Sequence, residues 1–92
     1  MRLDKFLQTS RIIKRRAVAA KVCNSGRVLV NDRPAKPGKE LAVGDRLTLT
    51  FGSGEVLVCE VVEVPKGAVR KDEAARLYRT IEDTRRRPGE ET

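Results

Sequence analysis

Residues 1–30 read MRLDKFLQTSRIIKRRAVAAKVCNSGRVLV, and the spacing of apolar residues changes period within this stretch. From Met1 to Gln8, Leu3, Phe6 and Leu7 follow the i, i+3, i+4 pattern of one helical face and leave Arg2 and Lys5 on another. Thr9 to Ile13, β-branched and small polar, reads as a link to a second helix from Lys14 to Asn24. Gly26 ends that helix, because glycine tolerates the positive φ of a helix C-terminus. Val18, Ala19, Val22 and Cys23 are placed to face inward. Lys14 and Lys21 share one line with small Ala17 between them, which leaves room for a nucleic-acid backbone.

Beyond Gly26 the period falls to 2. Arg27 to Val30 reads as a strand, Asn31-Asp32 as a turn, and Pro34 to Lys39, with its Pro37-Gly38 pair, as a loop. After Val43-Gly44-Asp45, Leu47, Leu49 and Phe51 alternate with Arg46, Thr48 and Thr50, the mark of a half-buried strand. Gly52-Ser53-Gly54 then connects to Glu55 to Val64, apolar on both sides apart from Glu60 and Glu63 and so expected inside the sheet. Pro65 to Gly67 stops it. Lys71-Asp72-Glu73 followed by Ala74, Leu77, Tyr78 and Ile81 at i, i+3, i+4, i+7 predicts a C-terminal helix within 68–84, docked on the sheet. Residues 85–92, with Arg85 to Arg87, Pro88 and Gly89 and no apolar side chain, read as a disordered tail. The expected class is α+β, a small single domain with two short N-terminal helices on a mainly antiparallel sheet.

Composition narrows the function. A 92-residue chain buries only about 60 to 65% of its unfolded surface, enough for one modest core and too little for a deep catalytic cleft. It has no histidine, the commonest general base and metal ligand, and Cys23 and Cys59 are too far apart in sequence for a paired-thiolate zinc site. Serines 10, 25 and 53 have no imidazole to activate them, and Lys36-Pro37-Gly38-Lys39 lacks the spacing of a phosphate loop. Enzymatic, metal and cofactor chemistry are therefore not expected. No apolar run exceeds four residues, against the roughly 20 of a membrane span, so a cytoplasmic protein with two buried, reduced thiols is expected.

The net charge of +7 is unevenly placed. Residues 1–27 hold eight bases and one acid, residues 28–46 four bases and three acids, and the remainder eight bases and nine acids. Such a concentrated cationic face suits a polyphosphate surface. Phe6 and Phe51 fall at core positions and Tyr78 on a packing face, so base stacking is not provided for and binding must rest on phosphates and shape. The candidate RNA-binding residues are Arg2, Asp4, Lys5, Arg11, Lys14, Arg15, Arg16, Lys21 and Arg27. Asp4 has three readings: orienting a neighbouring arginine, accepting from an RNA hydroxyl, or complementing a helix N-terminus. A DNA-binding module would use the same charge, but the second helix lacks the Gln and internal Asn side chains that read adenine edges.

Arg2-Leu3-Asp4-Lys5-Phe6-Leu7, Ser10-Arg11, Lys14-Arg15-Arg16, Gly26-Arg27-Val28, Val30-Asn31, Lys36-Pro37 and Gly44-Asp45 together resemble the S4 RNA-binding domain and its α-L motif, over roughly residues 1–51. With Glu73-Ala74-Ala75 and Tyr78, the resemblance is to the free-standing S4 proteins of the RqcP (YabO) family and reaches about Glu82. The resemblance implies an S4 domain with β extension over 1–67, and the match to its motif makes Arg2, Arg11 and Arg16 the candidates for bidentate contacts. It also implies a quality-control factor that binds obstructed large ribosomal subunits through 23S rRNA and P-site peptidyl-tRNA. Such a factor assists RqcH in adding a C-terminal alanine tail to the stalled chain. A small shape-reading module of this kind is expected to be a monomer. A related reading is heat shock protein 15, which shares Arg2-Leu3-Asp4-Lys5 and the Ala74 to Tyr78 stretch but has a longer basic C-terminal extension; the end at Thr92 favours the first. Many S4 domains have glycine where Asp32 stands, so the turn there is expected to differ.

Overall fold

The computed structural model describes residues 1–84, and the expected tail at 85–92 lies outside them. Helices α1 (Leu3–Thr9) and α2 (Arg16–Asn24) precede strands β1 (Val28–Val30), β2 (Arg33–Pro34), β3 (Arg46–Thr50), β4 (Val56–Val61) and β5 (Tyr78–Asp83). The strands form one antiparallel sheet in the order β2-β1-β3-β4-β5. Among the described residues no helix is long and apolar enough to cross a membrane.

The core lies between the helices and one sheet face. Leu3, Phe6 and Leu7 of α1 and Ala19 of α2 are fully buried against Val28, Leu47, Leu49, Leu57 and Cys59. The alternation places Leu47 and Leu49 inward, and β4 likewise buries Leu57, Cys59 and Val61 while Val56, Val58 and Glu60 stay half-buried. β4 is paired along both edges, yet only one of its faces is buried. On α2 only Ala19 and Cys23 go fully inward; Val18, expected inside, is 43% exposed. Both cysteines are buried.

The C-terminal helix expected within 68–84 does not form. Ala74–Leu77 is a single 3₁₀ turn that buries Ala74 and Leu77, and the chain then becomes β5, paired to β4 with a register shift at Val58/Cys59. Without β5, β4 would leave a row of backbone donors and acceptors unpaired, and that demand outweighs a helical spacing only eight residues long. Among the described residues the second sheet face accordingly carries no helix, and Ile81 is half exposed.

Two turns shape the surface around the helices. Asn31 (φ 52°) and Asp32 (φ 69°) are both left-handed, the geometry of a two-residue type I′ hairpin between β1 and β2, so Asp32 takes the conformation a glycine would. The 36–39 turn, closed by Lys39 N–H donating to the Lys36 carbonyl at 3.0 Å, caps α1: Leu3 N–H donates to the Lys39 carbonyl (2.8 Å) and Asp4 N–H to the Pro37 carbonyl (3.1 Å). Two helix-start donors thus find partners in a segment more than thirty residues away.

Candidate nucleic-acid interface

The α1–α2 corner is organised around one carboxylate. Asp4, in the first turn of α1, is 4% exposed although it is charged. Its Oδ1 accepts from Lys5 N–H (2.8 Å) and Arg2 Nε (3.3 Å), and its Oδ2 from Arg16 Nε (3.3 Å) and, at the limit, Arg2 Nη2 (3.5 Å). The two arginine side chains are about half exposed, 51% and 47%, whereas that of Asp4 is 6% exposed. The carboxylate therefore anchors both guanidinium groups from below and leaves their outer N–H groups to solvent. Of the three readings of Asp4, two are realised within the chain: it orients the neighbouring arginines, and in the first turn of α1 it complements the helix N-terminus, accepting from Lys5 N–H. A buried charge is tolerated only when paired and hydrogen-bonded, and these bonds meet that condition.

Arg16 and Arg15 stand where a helix least favours them. Arg15 is the N-cap of α2 and Arg16 its first residue, with no acid in the first turn. Cations at this positive end of the macrodipole cost about 0.3–1 kcal/mol each, and only Asp4, supplied by α1, offsets the cost for Arg16. Placement against helix preference points to a ligand of opposite charge.

Arg11 is held in another unfavourable conformation. It follows Ser10, the C-cap of α1, with φ 62°, at the position glycine usually fills. Its N–H donates to the Gln8 carbonyl (3.1 Å) while Ile13, two residues on, turns into the core. The left-handed backbone costs an arginine about 1–2 kcal/mol. Arg11→Gly should accordingly raise stability by about 1 kcal/mol, partly offset by glycine's greater unfolded entropy, while lowering RNA affinity about fivefold. Thermal melts paired with filter binding check this; a variant losing stability would show that the Arg11 side chain supports the fold.

Two adjoining clefts collect the remaining cations. Arg2, Lys5 and Arg16 line one of about 440 Å³ with Met1, Val64, Pro65 and Lys66. Lys5, Arg11 and Lys14 line the other, of about 190 Å³, with Gln8, Thr9 and the 67–69 segment. Lys5 and the 64–69 loop border both. Lys5, Arg11, Lys14, Arg15 and Lys21 are exposed and form no ion pair among the described residues. Arg15 and Lys21 line neither cleft, and Arg27 lies away from them, its guanidinium beside Gly52 in the β3–β4 turn. Lys66 was not among the sequence candidates: nothing in Pro65-Lys66-Gly67 signals that a loop sixty residues along will wall the helix corner. Behind Asp4, burial and then the Asp4 charge push the Cys23 thiol up to about 11, so it stays protonated and unreactive at neutral pH.

Comparison with known proteins bears directly on this corner. The S4 domain model matches residues 1–47, the segment containing both helices, Asp4 and the arginines it holds. The chain is 51% identical over 78 residues to the RQC P-site tRNA stabilizing factor of Halalkalibacterium halodurans, covering 85% of this chain and 86% of that one. It belongs to that S4-domain family. The chain is also similar to Escherichia coli heat shock protein 15, with 38% identity over 80 residues, which span 85% of this chain and 58% of that protein. In three dimensions the chain is similar to the trimeric structure of Vibrio cholerae heat shock protein 15, with a TM-score of 0.78, 31% identity and coverage of 87% and 80% of the two chains. The shared architecture is two helices on an antiparallel sheet, which agrees with the α+β class read from the sequence.

Proposed function

We propose that this protein is an RNA-binding factor of ribosome-associated quality control. It binds obstructed large ribosomal subunits through 23S rRNA and P-site peptidyl-tRNA in the cytoplasm, and it assists RqcH-dependent C-terminal alanine tailing of stalled chains. The observation that carries the reading is the Asp4-held pair Arg2 and Arg16 lining one cleft together with Lys5 and Lys66. Family membership supports it, since the relatives are named for stabilising a P-site tRNA. The role is positional and non-enzymatic: fixed guanidinium groups hold phosphates in one geometry while the ribosome and a partner factor do the chemistry. Prefixed arginines lose less freedom on binding than mobile ones, so each contributes more to affinity.

The test is co-sedimentation of the tagged protein with ribosomal fractions over a salt series. Enrichment on large subunits that retain peptidyl-tRNA is expected, about tenfold weaker in Arg16→Ala and unchanged in Arg86→Ala. Alanine tailing in cells carrying Arg16→Ala should fall in step. Equal losses from both substitutions would reduce the effect to net charge and sink the assignment of Arg16. A protein that stays at the top of the gradient at every salt concentration would leave a general nucleic-acid-binding S4 module.

A further inference from the structure

The charge of residues 28–46 is nearly balanced in sequence, with Arg33, Lys36, Lys39 and Arg46 facing Asp32, Glu40 and Asp45. In space it is not. Asp32 is paired with Arg46, and Glu40 with the N-terminal ammonium group at 3.0 Å. Asp45 accepts from Asn31 Nδ2 at 3.0 Å and from Ala42 N–H at 2.9 Å. Every acid of the segment is thus engaged elsewhere. Arg33, Lys36 and Lys39 are left exposed, with no ion pair among the described residues.

These three cations share one place. They line a cleft of about 720 Å³ beside the β1–β2 hairpin, walled by Val30, Pro34 and Ala35. Its frame is fixed by the backbone. Lys36 and Lys39 are the first and last residues of the closed turn that caps α1, which holds their Cα atoms within about 7 Å of each other. Ala35 N–H donates to the Val28 carbonyl (3.1 Å) and Leu41 N–H to the Met1 carbonyl (3.0 Å), anchoring both ends of the turn. Arg33 projects from the type I′ hairpin, whose Asn31 is bonded through its side chain to Asp45 and Arg46 N–H. The cleft shares no lining residue with those at the helix corner, and the two regions meet where Gly38 lies against the Arg2 guanidinium.

We propose that this hairpin cleft is a second phosphate-binding surface, in which Arg33, Lys36 and Lys39 hold a further stretch of RNA sugar-phosphate backbone. The proposal rests on the RNA-binding function assigned to the helix corner and extends its footprint beyond the helices. Three cations and no aromatic side chain in the lining favour backbone contact over base stacking, so binding here adds affinity without sequence preference.

The experiment measures binding of folded tRNA to the full chain across a salt series. It compares Arg33→Gln/Lys36→Gln/Lys39→Gln with Arg70→Gln/Lys71→Gln/Arg76→Gln, which removes three exposed cations lining no part of this cleft, and with Arg16→Ala. Each released counterion contributes a slope of about 0.7–0.9, so the hairpin variant should lower the log–log slope by about 2 to 3 and the affinity about 50- to 150-fold at physiological salt. The charge-matched variant should keep a slope near wild type, and circular dichroism should show all three folded. Equal losses in the two triple variants would mean that net charge alone acts, and would overturn the proposal. Weakening by Arg16→Ala with no change in the hairpin variant would overturn it while the helix-corner reading stands. Failure of the wild-type protein to bind RNA at any salt would overturn both.

Discussion

Phe6→Ala should cost about 3–5 kcal/mol of folding stability, the largest loss expected from any single truncation here. Phe6 is fully buried and is the largest side chain at the centre of the core, where α1 meets the sheet. A domain this small has an unfolding free energy near the low end of about 5–15 kcal/mol, so the loss would take most of it. The melting temperature should fall by at least ~12 °C, given about 4–8 °C per kcal/mol for a domain of this length. Phe6→Leu keeps most of the volume and should cost under about 1.5 kcal/mol. Because the ring is sealed from solvent, Phe6→Leu should also leave RNA affinity within twofold, which separates a core role from base stacking. Denaturant melts and filter binding on both variants give the numbers. A loss below 1 kcal/mol in Phe6→Ala would mean the site collapses around the gap and α1 is not held by this side chain.

The helices and inner strands were legible because their signals are local. Leu3, Phe6 and Leu7 mark one face of α1, Gly26 with φ 80° closes α2, and Leu47 and Leu49 alternate inward on β3. The C-terminal segment was not, because Ala74, Leu77 and Tyr78 satisfy helical spacing over a run too short to distinguish a helix from a turn entering a strand. What decided it was the free edge of β4, a property of the assembled sheet. The same limit applied at the site. Charge density in residues 1–27 points to the helix corner as the candidate site, but the roles of its members depend on contacts the sequence does not order. Asp4 admits three roles in the sequence, and its hold on Arg16, twelve residues away, appears only in the folded chain. Lys66 reached the cleft only through the path of the 62–77 segment, and the balanced charge of residues 28–46 concealed three uncompensated cations.

Asp4→Asn should weaken RNA binding by about 10- to 50-fold, roughly 1.4–2.3 kcal/mol, the range of one charge-assisted hydrogen bond. Simple charge counting predicts the opposite sign. The substitution raises the net charge by one, and added positive charge near a polyanion strengthens association. The two effects therefore pull in different directions, and the structure indicates which wins. In the native chain both guanidinium groups are fixed on the Asp4 carboxylate. Asparagine has nearly the same shape and can still accept from Lys5 N–H, but its one carbonyl oxygen cannot hold two cationic donors on opposite sides. Released, Arg2 and Arg16 repel each other, and binding must then order two long side chains, at about 0.5–1.5 kcal/mol each. Stability should fall by only about 1–2 kcal/mol, because the freed arginines are half exposed and regain water. Affinity and thermal stability measured on wild type, Asp4→Asn, Arg16→Ala and the double variant close a cycle. Strong non-additivity is expected, since the carboxylate acts through the arginine it holds. Tighter binding by Asp4→Asn would show that the pair is not pre-set for phosphate and that the corner works by net charge alone.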